Sequence, residues 1–240
     1  MRHRNASRRI RQRGQALLLI VVLAIAGWQA RRWVDEHYPQ HAPWTPLHLS
    51  DPVGMATRIK LAALAGNKPQ CLTLFDGSSY RIKPRADRML SASCGYVDAV
   101  AMERMSAFYR MPDHTIACPL AASLAVWERH VVQPAANQFF DWRVARIDTF
   151  GVYNCRRIAG SSRWSRHATA EAIDIAGFVL ADGTRIDMAR DWHRVDARGQ
   201  FLKSLRDGGC AIFGTVLSPD YNRAHRDHFH LQTHGLGTCR

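Results

Sequence analysis

Hydrophobic and polar positions divide the chain into four stretches. Residues 1–13 are polar and basic, with arginine at positions 2, 4, 8, 9, 11 and 13. From Gly14 to Ala30 no charge interrupts an apolar run of 17 residues, the short end of what spans a bilayer as a helix (roughly 17–25). The arginine-rich flank and the pair Trp28 and Trp33 fit an uncleaved transmembrane anchor with a cytoplasmic head. Ala24-Ile25-Ala26 offers a small-x-small site for the competing reading, a cleaved signal. Either way the remainder is expected to be exported. Residues 31–44 read as a Pro-containing tether, with Pro39, Pro43 and then Pro46 and Pro52 opposing a long helix.

Beyond the tether, residues 45–240 read as one domain. Ala56 to Gly66 predicts a short helix closed by its glycine. Leu120, Leu124, Trp127 and Val131 recur at helical spacing after Cys118-Pro119, one apolar stripe belonging to the core. Strand character marks 142–150, and 172–180 with 184–187 predicts two strands joined through Asp182-Gly183, a hairpin turn pair. Phe201, Leu202 and Leu205 predict a helix over 198–205 that ends at Gly208-Gly209, and 211–217 and 227–233 complete the strands. Helices early and strands late give an α+β class, an antiparallel sheet with packed helices.

Composition changes the picture in one respect. A formal net charge of +13 resembles a nucleic-acid binder, but eight of those charges (Arg2, Arg4, Arg8, Arg9, Arg11, Arg13, Arg31 and Arg32) lie in residues 1–34, which carry no acid. The rest of the chain holds no long basic run with interleaved aromatics, so nucleic acid is excluded as the expected partner. Six cysteines, at 71, 94, 118, 155, 210 and 239, all come after the apolar run. No C-x-x-C pair exists, so disulfides in an oxidising compartment are expected rather than a thiolate metal site, with pairing left open.

The chemistry concentrates in two stretches, Ser165 to Asp174 and His225 to His230. Asp174 interrupts an apolar strand, where a bare carboxylate costs several kcal/mol unless paired or metal-bound. His228 and His230 lie two apart and share a strand face. His167 and Asp174, with a histidine from the later His225–His230 stretch, offer two imidazoles and one carboxylate, a set that suits Zn²⁺ with a fourth position open for water, as catalytic sites have.

Ser165-x-His167-x-x-Ala170-x-Ala172-x-Asp174 resembles the S-x-H-x-x-G-x-A-x-D motif of zinc D-Ala-D-Ala carboxypeptidases and their hedgehog-fold relatives, with Ala170 at the usual glycine. Asp227-x-x-His230 resembles the second motif of that superfamily. His225, His228 and His230 also match the H-x-x-H-x-H form of penicillin-insensitive murein endopeptidases. More closely, residues 45–240 resemble the bacterial extensin-like C-terminal domain family, through Cys94-Gly95, Cys118-Pro119-Leu120, Tyr153-Asn154-Cys155-Arg156, both metal motifs and Phe213 to Leu217. The resemblance implies a hedgehog/DD-peptidase-like zinc fold. It implies an envelope peptidase or amidase, D,D-carboxypeptidase- or endopeptidase-like, acting on peptidoglycan or another cell-wall peptide from the periplasmic face of the inner membrane. His167, Asp174 and His230 would hold zinc. The proton acceptor is Asp227 or His228; the acid-x-x-His spacing favours Asp227, whereas strand alternation puts His228 on the ligand side. Arg156 would steady an oxyanion or a substrate carboxylate. The alternative is a noncatalytic cell-wall binding or scaffold module that keeps fold and metal; such a module is free to lose Asp227 and His228, and both are present.

Overall fold

The computed structural model describes residues 2–235 and 237–240. Helix α1 (Arg2–His37) carries the apolar run, whose side chains from Leu17 to Ile25 are exposed. Its segment Arg11–His37 is long and apolar enough to cross a membrane or to serve as a signal sequence. The helix continues through residues 31–37, expected to be tether, because the first proline comes only at 39. Residues 39–46 are laid against the domain. The Lys60 ammonium, on α2 (Thr57–Ala62), donates to the carbonyl of Pro39 (2.7 Å), the hydroxyl of Thr45 (2.7 Å) and the carbonyl of Pro46 (3.3 Å). A cleft of about 840 Å³ lies between residues 43–50 and the helices α2 and α3 (Lys68–Thr73).

Six short strands that the pattern does not announce precede the long helix: β1 (Arg81–Pro84), β2 (Arg88–Ser91), β3 (Cys94–Tyr96), β4 (Ala99–Arg104), β5 (Phe108–Arg110) and β6 (Thr115–Ala117). Strands β1, β4 and β6 form one antiparallel sheet, and β2 and β3 a hairpin. The expectation that helices come early and strands late is therefore corrected; runs of three to six residues are too short to show a period.

The long helix is α4 (Cys118–Trp127), a π-helical turn over Glu128–Val132 and α5 (Gln133–Phe140), started by Pro119 and closed by Asp141 in the left-handed conformation (φ 57°). The sequence predicts one apolar stripe here. Instead every residue from Cys118 to Trp127 is buried, as suits an all-round apolar helix at the centre of a domain.

Strands β7 (Val144–Gly151), β8 (Ala172–Leu180) and β9 (Arg185–Asp187) come next, then α6 (Met188–Asp191), α7 (Ala197–Gly209), β10 (Thr215–Leu217), β11 (Phe229–Gln232) and β12 (Thr238–Cys239). The strand order is β12-β10-β11-β8-β7-β5, with β9 also on β8. Pairing is antiparallel except for β5 with β7 and β10 with β12. The class is α+β, as expected.

One face of this sheet is packed: Trp127 meets Phe178 and Phe213, and Phe178 meets Phe201 of α7. Gly208 permits the close approach of α7, since a Cβ there would come within 2.5 Å of Val131. The other face of the sheet is open. Disulfides Cys71–Cys118, Cys94–Cys155 and Cys210–Cys239 tie α3 to α4, β3 to the loop after β7, and the end of α7 to β12.

The π turn carries a fully buried acid. Glu128 accepts from the Ala107 backbone N–H and the Tyr109 hydroxyl, both at 2.8 Å. Burial pushes its pKa from 4.5 up to about 7, against the opposing pull of those hydrogen bonds. The folded state thus holds a proton that the unfolded chain releases above pH 4.5. Stability is greatest below that pH and falls as pH rises through about 7, by about 3 kcal/mol in all. Glu128→Gln is expected to flatten this fall in denaturant unfolding measured at pH 4.5 and pH 8; an unchanged slope would remove Glu128 as its source.

Candidate metal centre

The centre is built where β8 and β11 lie side by side on the open face. Their register sets Asp174 opposite His230, so carboxylate and imidazole project together. His167 arrives from above, on a 3-10 turn (Arg166–Thr169) whose N-cap, Ser165, accepts the His167 backbone N–H at 3.3 Å. The turn is held by the loop after β7: Asn154 donates its N–H to the His167 carbonyl (3.0 Å) and Ser165 donates to that of Arg156 (3.1 Å). Cys155 anchors that loop to β3. Ala170 ends the turn at φ 56°, buried, and its carbonyl accepts from Ala117 at 2.9 Å. Glycine adopts that backbone without strain, whereas alanine bears it at roughly 1–2 kcal/mol.

His167 Nε2 stands 3.2 Å from Asp174 Oδ1 and 3.2 Å from His230 Nδ1, and His230 Nδ1 stands 2.9 Å from Asp174 Oδ1. Among the described residues these three form the one cluster of metal-ligating side chains with donor atoms all within 4.8 Å of one another. His167 is 3% and Asp174 9% exposed, while His230 is only partly buried on the open face.

The outer nitrogens decide what the inner ones can do. His167 Nδ1 lies 2.6 Å from the Val152 carbonyl, which can only accept, so the proton sits on Nδ1 and Nε2 turns a lone pair inward. The Gln232 amide gives its N–H groups to the His234 carbonyl (2.8 Å) and to Thr215 Oγ1 (3.1 Å), which leaves Oε1 facing His230 Nε2 at 3.0 Å. The His230 proton is therefore on Nε2, and Nδ1 faces the cluster. Two lone pairs and a carboxylate oxygen so converge within about 3 Å. Only a positive charge settles them, either a second proton on an imidazole or a metal cation. In the protonated alternative, burial pushes the Asp174 carboxyl up, but hydrogen bonds from His167 and His230 and their charge outweigh burial and hold it far below the usual carboxylate range. Two imidazole nitrogens, each aimed by an outer hydrogen bond, and a carboxylate oxygen are a donor set that fits zinc.

Two further histidines repeat the pattern. His228 Nδ1 donates to Asp227 Oδ1 at 2.9 Å, and its Nε2 lies 3.7 Å from Asp174 Oδ1. His225 Nδ1 is 2.8 Å from Asn222 Oδ1, an oxygen that also accepts the Ala224 N–H, so this ring too carries its proton outward. His225 packs on His228 and His230, with ring centroids 5.2 and 5.9 Å away. Its pKa falls to about 4, first by burial and then by the charges of His228 and His230, with Arg156 adding to the fall. Arg156 itself is exposed, a rim residue near His225.

The structure thus brings together His167, Asp174, His230 and His228, and places Arg156 at the edge. From spacing, Asp227 is the favoured proton acceptor; here its Oδ1 holds His228, and it is His228 Nε2 that faces the cluster. Gln232, Asn222 and the Val152 carbonyl are partners that sequence reasoning misses. Gln232 alone carries a signal, standing two residues past His230 on the same strand face.

A family model described as "Extensin-like protein C-terminus" matches residues 69–240. No curated protein matches the chain, and no solved structure does.

If the outer hydrogen bond aims His230, Gln232→Ala lowers zinc affinity by about 10–100-fold while His230→Ala abolishes stoichiometric binding. Metal analysis after equilibration with zinc reads both. Full stoichiometric zinc in His230→Ala would take that residue out of the set.

Proposed function

The chain belongs to the extensin-like C-terminus family, and from that premise we propose that it is a zinc-dependent peptidase of the cell envelope that hydrolyses peptide bonds of peptidoglycan type. The observation that carries this reading is the pairing of the His167–Asp174–His230 donor set with a base beside it, His228 Nε2 at 3.7 Å from Asp174 Oδ1. Three protein ligands of N, N and O type with a proton acceptor next to them are the parts of a catalytic zinc site, and they favour a hedgehog/DD-peptidase-like relationship. Zinc held there supplies a Lewis acid that brings the pKa of water toward about 7.

The residues of the chain do the rest. His228 receives the proton of the attacking water at Nε2 and passes it to the departing amine, while Asp227 holds Nδ1–H and steadies the imidazolium. Asp227 acts through His228, as a positioning residue. Arg156, exposed at the rim, supplies a guanidinium to an oxyanion or a substrate carboxylate. Three disulfides and the long apolar segment of α1 support export, with the domain on the periplasmic side and α1 as anchor or signal.

The test is digestion of purified peptidoglycan by the zinc-loaded chain, products resolved by mass. His228→Ala is expected to keep its zinc and lose about 10²–10⁴ in kcat, with Asp227→Asn less affected. The reverse ranking would make Asp227 the base. No turnover by zinc-loaded wild type on any muropeptide, cross-linked or not, would leave the noncatalytic scaffold.

A further inference from the structure

The open sheet face does not end at the metal centre. Phe150 of β7, 59% exposed, stands edge-on to His228 at 5.6 Å between ring centroids. Two residues back along β7, Asp148 gathers three arginines from three strands. Arg110 Nε (2.7 Å) and Arg146 Nε (2.8 Å) both reach its Oδ1, and Arg185 Nη2 lies 3.5 Å from its Oδ2. Asp148 is largely buried, and hydrogen bonds from Arg110 and Arg146 hold it ionised against the upward push of burial.

One carboxylate does not need three guanidinium groups. The two short contacts from Arg110 and Arg146 already meet the buried carboxylate, so the third guanidinium is in excess, and the cluster keeps a net charge of +2. Arg110 and Arg146 present only Nε to Asp148; their Nη groups have no partner among the described residues. The side chains of Arg110 and Arg185 are both 62% exposed. Asp148 therefore aligns the guanidinium groups and leaves their outer forks free, the geometry that takes a carboxylate in two parallel hydrogen bonds.

Position says what such forks would meet. Gly151 of β7 is the register partner of Asp174, and Asp148 is three residues further back along the same strand. At about 3.3 Å per residue that is roughly 10 Å, the reach of three residues of extended peptide. Phe150 lies in between as an apolar platform.

We propose that this strip of the sheet is an extended substrate subsite. In it Arg110, Arg146 and Arg185 bind free carboxylates of an acidic cell-wall peptide about three residues from the bond presented to the metal centre. The subsite rests on the peptidase reading for its orientation, but its binding chemistry is measurable without turnover.

The experiment uses the full-length, zinc-loaded chain in detergent, carrying His228→Ala so that the probe survives. The probe is a purified, uncross-linked muropeptide with free carboxylates, compared with the same peptide amidated and with polyphosphate. Arg110→Gln/Arg185→Gln in this background is expected to raise the Kd for the acidic peptide about tenfold or more. The amidated peptide should bind the parent as weakly as the acidic one binds the double variant. Arg185→Gln alone, which leaves both short contacts to Asp148 in place, should give an intermediate loss and guards against misfolding of the double variant. An unchanged Kd, or equal affinity for the amidated peptide, overturns the subsite. Tighter binding of polyphosphate than of the acidic peptide reassigns the strip to a phosphate polymer and overturns it as stated. Intact arginine-dependent binding with no hydrolysis by wild type would sink the peptidase reading and leave the strip standing.

Discussion

A carboxylate buried on an otherwise hydrophobic strand is the constraint around which this protein is arranged. Asp174 sits between Ile173 and Ile175, both fully buried, and is itself only 9% exposed. Moving such a group out of water as a bare anion costs several kcal/mol, so it must meet positive charge. Two imidazoles supply the neighbours, but the Val152 carbonyl and Gln232 Oε1 draw their protons to the outside. The conflict is built in by these hydrogen bonds, and either a further proton or a cation resolves it. An open sheet face with lone pairs converging at one point is better understood as a binding site than as a fold element.

The remaining architecture keeps that point fixed. Antiparallel pairing of β8 with β11 sets Asp174 against His230, and the packed face behind them, Phe178 under Trp127 and Phe201, gives the strands a rigid floor. His167, the third member of the cluster, does not lie on the sheet at all. It depends on a loop clamped by Cys94–Cys155 and by backbone hydrogen bonds from Asn154 and Ser165, and on Ala170 tolerating a left-handed backbone. Two side chains from a sheet and one from a stapled turn thus meet at one point.

How much of this the sequence discloses depends on the physics of each signal. Long elements are legible: β7, β8 and α7 fall within a few residues of the segments their patterns mark, because eight or more residues display a period. Strands β1 to β6 are too short to do so, and the central helix, apolar on every side, shows a stripe only if its other faces are overlooked. Asp174 and His230 are legible because one is chemically out of place and the other repeats at strand spacing, whereas His167 is ordinary alone and stands out only through the motif it shares with Asp174. The direction of the imidazole protons on His167, His230 and His225 is not legible, since the Val152 carbonyl, Gln232 and Asn222 act through contacts that only folding creates. The arginine strip is equally hidden: Arg110, Arg146 and Arg185 are far apart in sequence and ordinary one by one, and only the sheet register gathers them on Asp148.

Anomalous diffraction at the zinc edge, from crystals of the zinc-loaded chain, tests the central claim most directly. The expected result is a single strong peak bonded to His167 Nε2, His230 Nδ1 and an Asp174 oxygen at about 2.0–2.2 Å, with His228 Nε2 outside bonding distance. A peak elsewhere, or one that takes His228 as a ligand in place of any of the three, would contradict it.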